Sequence, residues 1–177
     1  TLFVCGGADI GDTWSRQLQF VLRRIAKRRN VRIGALCTGS YLLARAGLLD
    51  GYKCTIHWEN IASLREEFPE VLVSDDLFMI DRDRITSAGG QASMDMMLKL
   101  ISDRHGSKMV TQISEQFMCE RIRSSDDRQR IPLHLALGSN QPKLTEAVTL
   151  MESNIEEPIS LDELSNYVGI SRRQLER

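Results

Sequence analysis

The chain has 177 residues, 42% of them hydrophobic and 27% charged, with a formal net charge of −1. That composition excludes a mostly disordered protein and suits one good core plus a small appendage. No apolar run approaches the roughly 20 residues of a membrane helix, nothing reads as a signal peptide, and no global basic field advertises nucleic acid. Cys5, Cys37, Cys54 and Cys119 show neither paired spacing nor a C-x-x-C. No disulfide framework, metal or cofactor is therefore expected, and the expected location is the cytoplasm. The ends, TLFVCGG and ISRRQLER, read as cut from a longer polypeptide.

Residues 2–4 form a short apolar strand that ends at Gly6-Gly7. Over 13–29, Trp14, Leu18, Val21, Leu22 and Ile25 recur at helical spacing and predict an amphipathic helix. Its outer side carries Arg23, Arg24, Lys27, Arg28 and Arg29. These read as a solvated face with cations favoured near the helix C-terminus, a nucleic-acid patch being the alternative. A strand over 31–36, a helix over 38–46 and a strand over 53–57 follow. A helix through Phe68 carries Ile61, Leu64 and Phe68 on one face, and 71–73 is a further short strand. LFMIDRDRITSA, from Leu77, predicts a hairpin turning at Arg82-Asp83.

Met94, Met97, Leu98 and Ile101 stripe the next helix, and Met109, Ile113 and Phe117 the one after. Methionines so spaced read as core filling. Strands alternating with helices predict an α/β layered fold on a largely parallel sheet. After Ile122 the composition changes: RSSDDRQR lacks apolar residues, IPLHLAL is apolar enough to dock, and GSNQP is a turn-rich break. The expected organisation is a domain over 1–122, a partly packed linker over 123–142 with a structural His134, and a helical segment over 143–177.

Chemistry concentrates where the second strand meets its helix. A sharp strand-to-helix turn lifts one residue at the strand's carboxyl end and demands small neighbours. Ala35 and Gly39 flank Cys37 at that spacing, and the start of the next helix favours thiolate there. Gly6-Gly7, ending another strand, brings backbone N–H groups toward the same crevice as a candidate oxyanion site. Glu59 follows His57 by two residues, a spacing that in a strand places it poorly as an orienter. A buried, inert cysteine is the plain alternative.

GALCTGSYLLARAGLLDGYKCTIHW followed by ITSAGG closely resembles the ThiJ/PfpI superfamily, of class I glutamine amidotransferase-like fold. The resemblance runs from about residue 2 to 103. It implies a three-layer, flavodoxin-like α/β domain, with Cys37 on the elbow cysteine, His57 on the histidine after the next strand, and Ala88-Gly89-Gly90 on the turn before a long helix. Enzymes of that superfamily usually add an acid from an early strand. In an enzyme Cys37 would be the nucleophile and His57 its base, in a hydrolase or hydratase.

The last residues carry a second pattern. Ser160 and Glu163 form a capping box, Leu164, Val168, Ile170 and Leu175 are apolar, Ser165 is small, Gly169 supplies a turn and Ser171 caps the next helix. That is a helix-turn-helix, whose second helix reads bases. The DNA-contacting candidates are Ser171, Arg172, Arg173, Gln174 and Arg177, with Arg173 and Gln174 favoured for base contacts. EEPISLDELSNYVGISRRQLER resembles the first half of an AraC-type DNA-binding domain. Against it stands charge: four Lys/Arg against seven Asp/Glu over 143–177.

An amidotransferase-like domain followed by an AraC-type segment resembles a group of bacterial transcriptional regulators whose known effectors include arginine and glycine betaine. The resemblance implies an effector crevice lined by Gly6, Gly7, Cys37, Thr38 and His57 without catalysis. It further implies operator DNA, an amino-acid-like or other nitrogenous effector, and a second copy as partners, and no membrane.

Overall fold

In chain order the elements are β1 (Leu2–Cys5), α1 (Arg16–Ala26), β2 (Ile33–Leu36), α2 (Gly39–Arg45), β3 (Lys53–Cys54), α3 (Ile61–Glu67), β4 (Leu72–Val73), β5 (Phe78–Asp81), β6 (Arg84–Ser87), α4 (Gln91–His105), α5 (Ser107–Gln116), α6 (Pro142–Ser153), α7 (Leu161–Val168) and α8 (Arg172–Leu175). They are seen in a computed structural model that describes residues 1–8, 13–130, 142–155 and 157–176. The IPLHLAL stretch, His134 included, lies outside the described residues. The chain divides into two units, Thr1–Gln129 and Arg130–Arg177.

The first unit is a flavodoxin-like α/β layer structure. Its sheet runs β1-β2-β6-β5, parallel across β1, β2 and β6, with β5 antiparallel to β6. The β5–β6 hairpin turns at the expected place, with Arg82 left-handed at φ +55°. A second, two-stranded parallel sheet joins β3 and β4.

Strand alternation separates two cores. Leu2, Val4, Ile33 and Ala35 face the core filled by Leu22 of α1, Leu43 of α2 and Leu64 of α3. Phe3, Leu36, Ile85 and Phe78 face the other, filled by Ala92 and Met96 of α4. Helices therefore cover both faces, as parallel strands require. Each fully buried Leu or Ile contributes about 1.5–3 kcal/mol. Gly34 makes the second core possible: a Cβ there would lie 2.2 Å from the Phe3 ring.

Three expectations are corrected. The strand predicted over 53–57 ends at Cys54. Beyond it, side chains take the backbone groups a neighbouring strand would need. The Thr55 N–H donates to Thr86 Oγ1 (2.9 Å), the Thr55 carbonyl accepts from Ser40 Oγ (2.7 Å), and the Ile56 carbonyl accepts from Gln129 Nε2 (3.1 Å). The stripe on α4 is rotated: Ala92, Asp95, Met96 and Leu98 are buried, whereas Met97 is exposed. On α5 the inward residues are Val110 and Ser114, and Met109 and Phe117 face solvent. Small side chains let α5 lie close on α4, and the larger ones are turned out.

The α4 rotation has an electrostatic cause. Asp95 is fully buried, and Arg123 reaches it through Nε (2.9 Å) and a terminal guanidinium nitrogen (2.8 Å). The Arg123 backbone N–H donates to the same carboxylate at 3.2 Å. Gln129 Nε2 adds bonds to Thr55 Oγ1 and the Asp76 carbonyl. Residues 123–129, expected as linker, are thereby sewn to the first unit.

In the second unit Ala147 of α6 packs on Leu164 and Val168 of α7, with Leu150, Ile159, Ile170 and Leu175 around them. Ser160 and Glu163 form the expected capping box at the start of α7. Lys143 Nζ donates to the Val168 carbonyl at the other end. Among the described residues no helix is long and apolar enough to cross a membrane.

Removing one partner of a buried charge pair leaves the other uncompensated. Arg123→Ala should therefore lower stability by about 3 kcal/mol, toward the low end for such losses because Arg123 is partly exposed. Chemical denaturation of the full-length protein measures it, and a change below about 0.5 kcal/mol, the usual surface value, would contradict the account.

Candidate functional site

Three parallel strands end side by side, and their last residues meet at one corner. β1 ends at Cys5-Gly6, β2 at Leu36-Cys37 and β6 at Ser87-Ala88-Gly89. Cys37 itself is left-handed, φ +58°. A non-glycine residue there is strained, and such strain persists only where surroundings over-determine it. Those surroundings are visible. The Cys37 N–H donates to the Ser87 carbonyl at 3.0 Å. A Cβ on Gly89 would stand 2.7 Å from Cys37 Cβ, one on Gly39 2.2 Å from the Val4 carbonyl oxygen, and one on Gly6 2.2 Å from the Gly39 nitrogen. The elbow predicted from small flanking residues is present, and the Cys37 thiol is half-buried at its tip.

The remaining crevice residues are engaged differently from expectation. The Gly6 N–H donates to the Leu36 carbonyl at 3.1 Å, extending the β1–β2 pairing, so it is not an oxyanion donor. The Gly7 carbonyl accepts from Thr38 Oγ1 at 2.6 Å. Buried Thr38 is thus a tether across the β1 end. The Thr55 N–H bond to Thr86 Oγ1 holds the chain two residues before His57 against β6. Among the described residues no hydrogen bond joins His57 to Cys37.

Glu59 corrects a further expectation. Residues Trp58–Asn60 form a 3-10 turn, not a strand, and His57 caps it. The turn folds Glu59 back to His57, with Nδ1 and Oε2 3.6 Å apart. That distance is an ion-pair approach, too long for a hydrogen bond. The His57 ring also lies against Trp58, centroids 5.5 Å apart. Among the described residues no group of acidic, histidine and cysteine side chains is placed to hold a metal.

In the second unit two capped helices, α7 and α8, are joined by a short turn. Gly169 ends α7 with φ +69°, and buried Ser165 sits inside the turn, its backbone accepting from Ile170 at 3.0 Å. Ser171 opens α8 with a second capping box: Gln174 Oε1 accepts from the Ser171 N–H (3.0 Å) and hydroxyl (2.9 Å). A bidentate adenine contact by Gln174 would have to undo that cap. Arg172 is held by Asp162 (3.1 Å) and Glu176 (2.9 Å). Arg173 is exposed, and among the described residues it makes no ion pair. Arg177 lies outside the described residues.

A model of the DJ-1/PfpI family matches residues 1–103. The chain belongs to the DJ-1/PfpI family. Similar curated proteins include the HTH-type transcriptional regulator GbdR of Pseudomonas aeruginosa, 56% identical over 176 residues, covering 99% of this chain and 48% of that protein. The HTH-type transcriptional regulator ArgR of the same species is 49% identical over 163 residues, 92% of this chain and 49% of that protein. The chain spans about half the length of the curated relatives it matches. Among solved structures, an AraC family transcriptional regulator from Pseudomonas putida is 33% identical with a TM-score of 0.59, covering 66% of this chain and 62% of that one. A ThiJ/PfpI family protein from Pseudomonas syringae, at 24% identity and a TM-score of 0.58, shares the fold over 88% of this chain and 61% of its own.

This DJ-1/PfpI member hides two supports that sequence patterns did not reveal. One is Glu59 behind His57, legible only once 58–60 is known to turn. The other is the Thr55–Thr86–Gln129 network, which has no local signature because its members lie far apart in the chain. Gly89 was legible as part of a small-residue turn, but its contact with Cys37 was not.

The Gly89 contact predicts a graded cost. Gly51 is also left-handed, φ +67°, but has open space where a Cβ would go. Gly51→Ala should cost roughly 1–2 kcal/mol from backbone conformation alone. Gly89→Ala, at φ +98° and against Cys37, should cost clearly more in the same denaturation series. Equal costs would mean that Gly89 does not hold the elbow.

Cysteine labelling supplies a second test. Cys54 is fully buried, and burial pushes its thiol up to about 12, whereas Cys5 is exposed and Cys37 half-buried. The thiolate is the reactive form. Iodoacetamide at pH 8 should therefore modify Cys54 last, and only as the protein unfolds. Rapid Cys54 labelling in mass spectra of the native protein would refute this.

Proposed function

We propose that the chain is part of a ligand-responsive transcriptional regulator. In this reading the DJ-1/PfpI domain senses a small nitrogenous, amino-acid-like metabolite, and the helix-turn-helix reads operator DNA. One observation carries it: a capped α7–Gly169–α8 unit follows the elbow domain in a chain 56% identical, along 99% of its length, to a protein named as an HTH-type regulator. A free-standing enzyme has no use for that unit. The regulator acts in the cytoplasm as a homodimer, because operator half-sites call for a two-fold protein.

The crevice is proposed to bind its ligand without turning it over. Support comes from Gly6, whose N–H is occupied by Leu36, and from the described hydrogen bonds, none of which joins His57 to Cys37. Cys37, His57 and Gly7 remain available to line the ligand. An enzyme with Cys37 as nucleophile is the second reading, favoured by the strained elbow and by Glu59 beside His57.

On the DNA side Arg173 is the proposed base-reading residue. It stands in the first turn of α8 and, among the described residues, forms no ion pair, whereas Arg172 and Gln174 are held. A guanidinium offers a bidentate fork to guanine, worth roughly 1–3 kcal/mol of discrimination.

The test uses the full-length protein. Duplexes selected from a random pool should converge on a two-fold site, and Arg173→Ala should relax one position per half-site while nonspecific binding persists. Small nitrogenous metabolites that raise the melting temperature should still raise that of Cys37→Ser. Failure to select any site would sink the regulator reading. Turnover of isocyanides, glyoxals or amides, lost in Cys37→Ser, would establish the enzyme.

A further inference from the structure

The solvent face of α1 concentrates positive charge in a chain that elsewhere carries more acids than cations. Residues 13–32 hold seven Lys/Arg and no Asp/Glu, in a chain of net charge −1. Arg16, Arg23, Arg24, Lys27, Arg28 and Arg29 are all exposed. Among the described residues none of the six forms an ion pair. Elsewhere cations commonly face acids: Arg82 with Asp81, Arg84 with Asp83, Lys99 with Asp103, Arg121 with Asp127, and Arg172 with Asp162.

A merely solvated helix face accounts poorly for this. The helix dipole favours cations only in the last turn, yet Arg16 opens α1, where a cation is disfavoured and no acid offsets it. A solvated face also normally interleaves acids at i,i+4 spacing, and here there are none. The inner face is fixed by the Ser15 cap and by Leu18, Leu22 and Ile25, so the outer face is held in one orientation. Arg23 Nε is anchored on the Ala46 carbonyl at 2.7 Å, and the Arg24 guanidinium lies over the Phe20 ring. With Arg16, Gln19 and Lys27 these residues line a shallow groove of about 360 Å³ that contains no acid.

We propose that this face binds the phosphate backbone of duplex DNA, independently of sequence. The proposal rests on the reading of the chain as part of a DNA-binding regulator. Phosphate neutralisation supplies much of a protein's affinity for DNA, and residues 13–32 bring seven cations with no acid among them. Arg16 to Lys27 spans about 16 Å of helix at 1.5 Å per residue. Along that length one DNA strand presents a phosphate every ~3.4 Å of axis. Exposed, unpaired guanidinium and ammonium groups suit such contacts, since no ion pair must first be broken.

The experiment compares full-length wild type with the triple variant Arg24→Gln, Lys27→Gln, Arg28→Gln, titrating nonspecific duplex and the selected site at several salt concentrations. A second triple variant, Lys99→Gln, Arg104→Gln, Lys108→Gln, removes equal charge from the α4–α5 surface. The α1 variant should show a log–log salt slope flatter by about 2–3 on both duplexes, with the preference for the selected site retained. The α4–α5 variant should keep the wild-type slope. Replacing Arg24 and Arg28 by Lys should restore the slope, which separates charge from any folding defect. Identical slopes for the two triple variants would overturn the proposal. So would an α1 variant that keeps the wild-type affinity and slope on both duplexes. Wild type without site preference would instead overturn the regulator reading.

Discussion

The left-handed backbone at Cys37 is the constraint on which the first unit depends. With φ at +58°, the chain leaves β2 and enters α2 within two residues, and the three strand ends must close around that corner. Gly6, Gly39 and Gly89 are glycines because backbone or cysteine atoms stand 2.2–2.7 Å from where their side chains would begin. Backbone pairing holds the corner on both sides: Gly6 donates to Leu36, and Cys37 donates to Ser87. A thiol is thereby displayed at the sheet's carboxyl edge, where open α/β sheets place their ligand crevices.

A second layer of constraint fixes the chain just before His57. Thr55, Ser40, Thr86 and Gln129 are polar and lie at or near the interior, and they bond to backbone groups that no strand satisfies. Burying such groups unpaired would cost about 1–3 kcal/mol each, so the network specifies one path for residues 55–57. Asp95 with Arg123 does the same for α4 and the segment after Ile122. Both devices draw residues 123–129 onto the α/β unit, which explains why the division of the chain falls after Gln129.

Much of this architecture was legible in sequence because its signals are local. The hairpin at Arg82-Asp83, the elbow with Ala35 and Gly39, the capping box at Ser160 and the turn at Gly169 each occupy a few adjacent residues. What stayed hidden depends on partners distant in the chain. Apolar periodicity placed Met97, Met109 and Phe117 inside, but it cannot register that Asp95 is pulled in by Arg123 or that Val110 and Ser114 permit closer packing. The Gly6-Gly7 turn suggested free N–H donors, yet parallel pairing continues one residue past β1 and takes the first. Glu59 was set aside on strand alternation, and a 3-10 turn reverses that inference. Arg172, Arg173 and Gln174 look equivalent in sequence; only their neighbours Asp162, Glu176 and Ser171 distinguish them.

The elbow explains how one scaffold supports both chemistry and recognition. Strain and glycine packing fix the position of a thiol; they do not supply a base in contact with it or donors for a developing oxyanion. Here the Gly6 N–H is occupied, the Thr38 hydroxyl is tied to Gly7, and His57 leans toward Trp58 and Glu59. General-base catalysis needs the base within hydrogen-bond reach of its proton, either directly or through one water. Recognition asks less of the same residues. A rigid rim holding a thiol, an imidazole paired with a carboxylate, and the wall of a buried helix can discriminate a small polar ligand by shape and charge. The strained corner is the part that either use of the scaffold must retain.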